Sequence, residues 1–277
     1  MTKSKPMNEA FDLRPGSGVM LISAPHVGTH VPAELNTRLT EVGRSLIDTD
    51  WYADRLYPFA HELDATVLRA CWSRYVVDLN RDPAGRPLYA GARTTGFVPT
   101  ETFEGEPLYD PGDEPGPDEL AARKALYFDP YHAALEAELA RIRAAHGWAL
   151  LLDAHSIWGT LPRLFEGDLP VVNLGTNSGR SCDSTLVEAA RAAVAASRYS
   201  VVVDGRFKGG YITRHYGVPA AGVHAMQIEI NQSAYLADGS RMLWDDAKAA
   251  RLSRVLSLAC MAIVGYRTAP RPAPVVP

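Results

Sequence analysis

ALLLDAH, residues 149–155, is the stretch on which the fold turns. Five apolar residues, 148–152, follow the Gly147 stop of a helical pattern and run straight into Asp153, Ala154 and His155. An apolar run this short, bounded by a turn signal, reads as a strand buried in a sheet. On an extended chain Asp153 and His155 share one face while Ala154 points to the other.

The same alternation repeats on both sides. Upstream, residues 19–24 (VMLISA) form an apolar run ended by Pro25, a strand passing into a loop. Residues 46–63 carry apolar side chains at helical spacing, and residues 65–70 and 75–79 read as two strands joined through Trp72 and Ser73. Helical pattern returns at 118–127, with Pro117 suited to the first turn, is interrupted by Pro130, and continues to about His146. Downstream, 171–174, 200–203 and 222–230 read as strands, and 184–197 and 244–264 as helices. This order predicts an α/β fold, a three-layer sandwich with a mixed, largely parallel central sheet. One domain is expected over residues 1–268, with 269–277 a loose tail. Between 81 and 117 the chain is rich in Gly and Pro without periodicity, and so long a connection is functional or mobile rather than filler.

Composition narrows the function. With 47% hydrophobic and 22% charged residues and a formal charge of −4, the chain has the balance of a globular protein. It offers no basic field for nucleic acid or an anionic membrane. Cys71, Cys182 and Cys260 lie far apart with no CxxC pair, which argues against a disulfide framework and a thiolate zinc site. The apolar stretch around 255–265 is too short to span a bilayer of about 30 Å. The first ten residues lack the apolar run of a signal peptide, so a cytoplasmic location is expected. GxGxxG, GxxxxGK[ST] and GxSxG are all absent, which removes the usual nucleotide cradles and the nucleophile elbow.

Ligands in open α/β sheets bind beyond the carboxyl ends of the strands. Those ends carry His26, then Asp78-Leu79-Asn80-Arg81, then Asp153 and His155, with Glu229 inside the 222–230 strand. Each has a plain structural reading of its own: a loop histidine bonded to backbone, a surface ion pair, a capping aspartate. Their coincidence is harder to dismiss. His30 follows His26 by four residues, but Gly28 and Pro32 disfavour the helix that an HxxxH clamp needs. Asp48 and Asp50 sit where a helix cap is favoured, and a cap needs only one of them. Gln227, Glu229 and Asn231 share one face of their strand, opposite Met226, Ile228 and Ile230. That polar row is either a solvated face or the wall of a cleft, and beside a metal its carboxylate would serve as general base. Arg81 could form a fork for a carboxylate. Arg163, Arg206 and Arg214, in loops near Gly or Pro, are further candidates for that work, and residues 207–217 (FKGGYITRHYG) read as a flexible element able to approach a ligand.

Six segments together carry a resemblance: SAPHVGTHVP, DTDWYADRLY, SRYVVDLNRDP, LLDAHSIWG, PRLFEGDLPVVNLGTNSG, and FKGGYITRHYG followed by GVHAMQIEINQSAYL. In this order, over roughly residues 21–236, they resemble the N-formylglutamate amidohydrolase family. That family is in turn similar to the zinc carboxypeptidases and aspartoacylases in fold and in motif order, which here falls on His26, Asn80-Arg81, His155 and Glu229. The resemblance implies hydrolysis of N-formyl-L-glutamate to L-glutamate and formate in histidine degradation. It also implies one divalent metal ion, zinc by type, with Glu229 as general base on the activated water and an Arg assisting the oxyanion. One position departs from the related group, which has a Glu three residues after the first His where this chain has Thr29. Asp50 is therefore taken as the third ligand beside His26 and His155, ahead of Asp48 and His30. The two substrate carboxylates are assigned to Arg81, with Asn80 beside it, and to Arg214 or Arg163. The competing readings are a related metal-dependent hydrolase of another N-acyl amino acid or short peptide, a metal-free binding protein on the same scaffold, and a metallophosphoesterase.

Overall fold

The computed structural model describes residues 9–86 and 95–268. In chain order the strands are β1 (Phe11–Arg14), β2 (Met20–Ala24), β3 (Thr66–Ala70), β4 (Ala149–Ile157), β5 (Val172–Gly175), β6 (Val201–Val203) and β7 (Val223–Asn231). The helices are α1 (Ala33–Asn36), α2 (Glu41–Ser45), α3 (Pro117–Arg123), α4 (Asp129–His146), α5 (Ser184–Ala195), α6 (Tyr211–Tyr216) and α7 (Asp246–Thr268).

One seven-stranded sheet runs in the order β1-β3-β2-β4-β7-β5-β6. β3, β2, β4 and β7 are mutually parallel, β1 is antiparallel to β3, and β5 with β6 runs antiparallel to β7. The mixed sheet and layered arrangement expected from the alternation of elements are both present. All nine residues of β4 are buried, as an apolar run at the centre of a sheet must be. Its alternate residues feed two cores. Leu150, Leu152 and Ala154 join Met226, Ile228 and Ile230 of β7 against α5 and α7. Ala149 and Leu151 join Ala225 against Leu135, Leu139 and Ile142 of α4. By the period of two, the α4-side face continues along β4 into Asp153 and His155 and along β7 into Gln227 and Glu229. The ladder pairs His155 with Glu229 directly.

Several local expectations are corrected. Residues 46–63 do not form one helix: Leu46 and Tyr52 take positive φ, and Pro58 opens a separate turn, leaving 3₁₀ pieces at Ala53–Leu56 and Pro58–His61. Their apolar side chains are buried nonetheless. Residues 75–79 form no strand; Tyr75, Val76 and Val77 are core residues in a turn. Pro130 does not interrupt the helical run, because it lies in the first turn of α4 and a wider π turn at Lys124–Phe128 carries α3 into it. Residues 207–217 contain the short helix α6 rather than only a flexible loop. Strand β1 is a four-residue edge too short to stand out in the sequence. Within the long Gly/Pro-rich connection, Val98, Thr102, Phe103, Leu108 and Tyr109 are buried, while 87–94 and the 269–277 tail lie outside the described residues. The three cysteines form no disulfide, and among the described residues no helix is long and apolar enough to cross a membrane.

Candidate active site

The parallel centre of the sheet sends its carboxyl ends to one edge, and the polar residues gather there. His26 lies two residues beyond β2 and His155 near the end of β4, and their rings are 4.8 Å apart. Asp50 reaches them from the turn at residues 48–51, which is tied to the site by the Asp50 N–H donating to the His26 carbonyl at 3.1 Å. His155 Nδ1 lies 3.0 Å from Asp50 Oδ2, and His26 Nδ1 lies 3.8 Å from the same oxygen. One donor atom from each of His26, Asp50 and His155 falls within a 4.8 Å group, and all three residues are buried.

Each imidazole is held from behind by a carboxylate. His26 Nε2 is 2.7 Å from Asp78 Oδ1, and His155 Nε2 is 3.1 Å from Asp153 Oδ1. A carboxylate can only accept, so Asp78 keeps the proton on Nε2 of neutral His26 and turns the Nδ1 lone pair inward. That Nδ1 is buried and has no hydrogen-bond partner. The Ser156 N–H donates to Asp50 Oδ2 at 3.1 Å and fixes its orientation. Two imidazole nitrogens and a carboxylate oxygen, backed by carboxylates and converging on an unpartnered nitrogen, fit a tetrahedral divalent metal with one open position.

The electrostatics follow from burial. Burial, helped by the Arg74 charge, lowers the His26 pKa to about 4 against the pull of Asp78 and Asp50. Burial would lower His155 too, but Asp153 and Asp50 on its two sides outweigh it and hold it well above the ordinary value. Burial also raises Glu229, with Asp50 adding to it, up to about 8 against the opposing His155 and Arg74. Gln227 Nε2 donates to Glu229 Oε2 at 2.8 Å, and the Gly210 N–H donates to Gln227 Oε1 at 2.7 Å.

These groups open on a cleft lined also by Arg74, Asn80, Arg81, Thr95, Phe103 and Arg206. Asn80 is fixed by three contacts: its Oδ1 accepts from the Ile212 N–H at 2.7 Å, and its Nδ2 donates to Asp153 Oδ2 at 3.1 Å and lies 2.8 Å from His155 Nε2. Any side chain at Gly210 would strike that amide, so glycine here is a requirement of close approach.

A family model described as N-formylglutamate amidohydrolase matches residues 19–236 of this chain. The chain belongs to the N-formylglutamate amidohydrolase family. It is similar to the N-formylglutamate deformylase of Pseudomonas aeruginosa, with 49% identity over 231 residues that cover 83% of this chain and 86% of that one. The corresponding enzyme of Pseudomonas putida is 48% identical over the same shares. The crystal structure of N-formylglutamate amidohydrolase from Ralstonia eutropha JMP134 superposes with a TM-score of 0.79 at 26% identity, covering 94% of this chain and 99% of that one. As a member of this family the protein is an amidohydrolase.

Within the N-formylglutamate amidohydrolase frame, the structure gathers some of the residues singled out in the sequence and scatters others. His26, Asp50, Asn80, Arg81, His155 and Glu229 all line the one cleft. Asp48 turns away, its Oδ2 accepting the Phe103 N–H at 2.8 Å, and His30 lines a separate depression, its backbone bridged to Trp72. Arg163 lies outside the cleft lining and meets Glu101 at 2.7 Å. Arg214 is outside it as well, in α6, its Nε donating to the Gly209 carbonyl at 2.8 Å. Arg74 was missed as a site residue, and Asp78 was named beside Asn80 and Arg81 without a role of its own. Arg74 is only 5% exposed, sits 2.6 Å from Asp78 Oδ2, and lies over the Phe103 ring at 4.7 Å. Their spacing of four gave no signal, because an i,i+4 ion pair is expected on a helix surface and these residues occupy a buried turn.

Proposed function

We propose that the protein hydrolyses N-formyl-L-glutamate to L-glutamate and formate, as a step of histidine degradation, using one divalent metal ion and Glu229 as general base. The observation that carries this reading is the convergence of His26 Nδ1, Asp50 and His155 within 4.8 Å, with the first of these atoms buried and unpartnered. Bound by these three residues, a divalent ion, zinc by the character of the donors, would polarise the formyl carbonyl and acidify a water. The remaining work falls to the chain. Glu229 stands across the β4–β7 ladder from His155 and lines the same cleft, where its carboxylate would take a proton from water. The same group then returns the proton to the departing amine. Arg74 brings a buried positive charge to the cleft, where the carbonyl oxygen gains negative charge in the tetrahedral state. Gln227 steadies Glu229, and Asn80 steadies Asp153 behind His155. Arg81, pinned by donating to the Thr95 carbonyl and hydroxyl at 3.0 Å each, presents a guanidinium to a substrate carboxylate.

The test is formate release from N-formyl-L-glutamate by purified protein, before and after exhaustive chelation and after zinc is restored. Turnover that disappears and returns supports the reading. Undiminished turnover in protein shown by elemental analysis to be metal-free overturns the metal-dependent mechanism.

A further inference from the structure

N-formyl-L-glutamate carries two carboxylates separated by a short aliphatic chain, so recognition needs two cationic anchors and an apolar stretch between them. Among the described residues, three guanidiniums line the cleft: Arg74, Arg81 and Arg206. Arg74 is committed to the site itself, 2.6 Å from Asp78 and 3.7 Å from Asp50. Arg81 belongs close to the reacting centre, since its neighbour Asn80 touches His155 and its own Nη1 lies 3.8 Å from Asp78, the residue holding His26. The α-carboxylate, one carbon from the scissile nitrogen, suits that place. Arg206 comes from the loop after β6, at the far side of the sheet order from β2 and β3. Its Nε donates to the Leu164 carbonyl at 2.9 Å, and its guanidinium lies 5.3 Å from the centre of the Phe207 ring. Those two contacts fix the plane of the guanidinium at the cleft wall. Leu164 and Phe207 line the cleft beside it.

Resting on the proposed activity, we infer that Arg206 is the specificity-determining residue that receives the distal carboxylate of the substrate, with Leu164 and Phe207 packing the methylenes between the two charged ends. The protein thereby selects acidic N-formyl amino acids over neutral ones of equal size. A fixed guanidinium suits this role because it offers a planar fork to a carboxylate and is left poorly satisfied by a neutral amide.

The experiment compares N-formyl-L-glutamate with its near-isostere N-formyl-L-glutamine on the wild type, Arg206→Gln and Arg206→Lys. Arg206→Gln is expected to lower kcat/KM for the glutamate substrate by about 10²-fold, chiefly through KM, while the glutamine substrate changes by less than about threefold. Arg206→Lys recovers part of the loss. A merely structural role would depress both substrates together, and that result, or a glutamate preference surviving in Arg206→Gln, overturns the inference. Calorimetric binding of L-glutamate against L-glutamine to the same proteins separates this inference from the activity it rests on. If the wild type hydrolyses neither formyl compound, the proposed function fails. A glutamate preference present in the wild type and lost in Arg206→Gln still supports the anchor; no preference, or an unchanged one, overturns it.

Discussion

His26 shows how one neighbour decides what a side chain can do. Its ring would be an ordinary loop histidine without Asp78, which takes Nε2 and leaves Nδ1 facing Asp50. Asp78→Asn should weaken metal binding by roughly 10- to 100-fold, the usual cost of losing a carboxylate behind a ligating imidazole; competitive titration against a zinc indicator measures it, and unchanged affinity would show that Asp78 does not orient the ring. Glu229→Gln should keep a full complement of metal and lose about 10² or more in kcat, because only the proton acceptor is removed. Elemental analysis alongside steady-state kinetics reads both halves, and near wild-type turnover would end the assignment. At this scale the sequence was informative along the strands: His26, His155 and Glu229 are legible because periodicity locates β2, β4 and β7, whereas Asn80 was singled out through a strand at 75–79 that does not form. Asp50 was legible only as one of three alternatives, since nothing within DTD says which carboxylate turns inward. Arg74 was illegible, because its burial depends on Asp50 and Phe103 arriving from distant turns to meet the one it shares with Asp78. Arg163 misled for the converse reason: its partner Glu101 lies 62 residues away in sequence.

Among the elements, the segment at residues 100–106 governs the cleft's rim. It carries Phe103 over Arg74 and is fastened by Asp48 at the Phe103 N–H, by Arg163 at Glu101, and by Arg241 at Glu104. Asp48→Ala is expected to raise KM several-fold with bound metal unchanged, because the fastening is lost and the ligand set is not. Metal lost on the same substitution would instead make Asp48 a ligand. The misread elements share a cause. Helical spacing in residues 46–63 and the apolar run at 75–79 report burial correctly, but burial does not fix backbone conformation where a proline or a left-handed residue intervenes. β4, β7, α5 and α7 were legible because their patterns are long enough to average over such interruptions.

For the molecule as a whole, stability depends on pH and metal in ways with definite sign. His132 of α4 is buried between the Tyr216 hydroxyl and the Leu79 carbonyl, 2.9 Å from each, and burial lowers its pKa to about 4. Its folded value lies below the unfolded one of about 6.5, so its contribution is complete above that pH and drains away as pH falls toward 4. Between pH 7 and pH 5 it should cost about 2 kcal/mol, seen as a falling urea midpoint that is flatter in His132→Gln. Metal acts in the opposite direction. The three donors come from the loop after β2, the Asp50 turn and β4, so zinc at about a hundred times its dissociation constant should add about 2.7 kcal/mol, which a chelator removes as a drop of several degrees in Tm.

The pairing of His155 with Glu229 across neighbouring central strands has a consequence for how such a protein changes over time. His155 and Glu229 are written into the hydrogen-bonded middle of the sheet, whereas Arg206 and the Leu164 wall belong to loops outside it. Chemistry and taste in substrates are thus held in separately mutable parts of the chain. Selection for a new acyl amino acid should accumulate its changes at 163–165 and 204–208 and leave β4 and β7 untouched, so that a lineage can alter its diet without relearning its reaction.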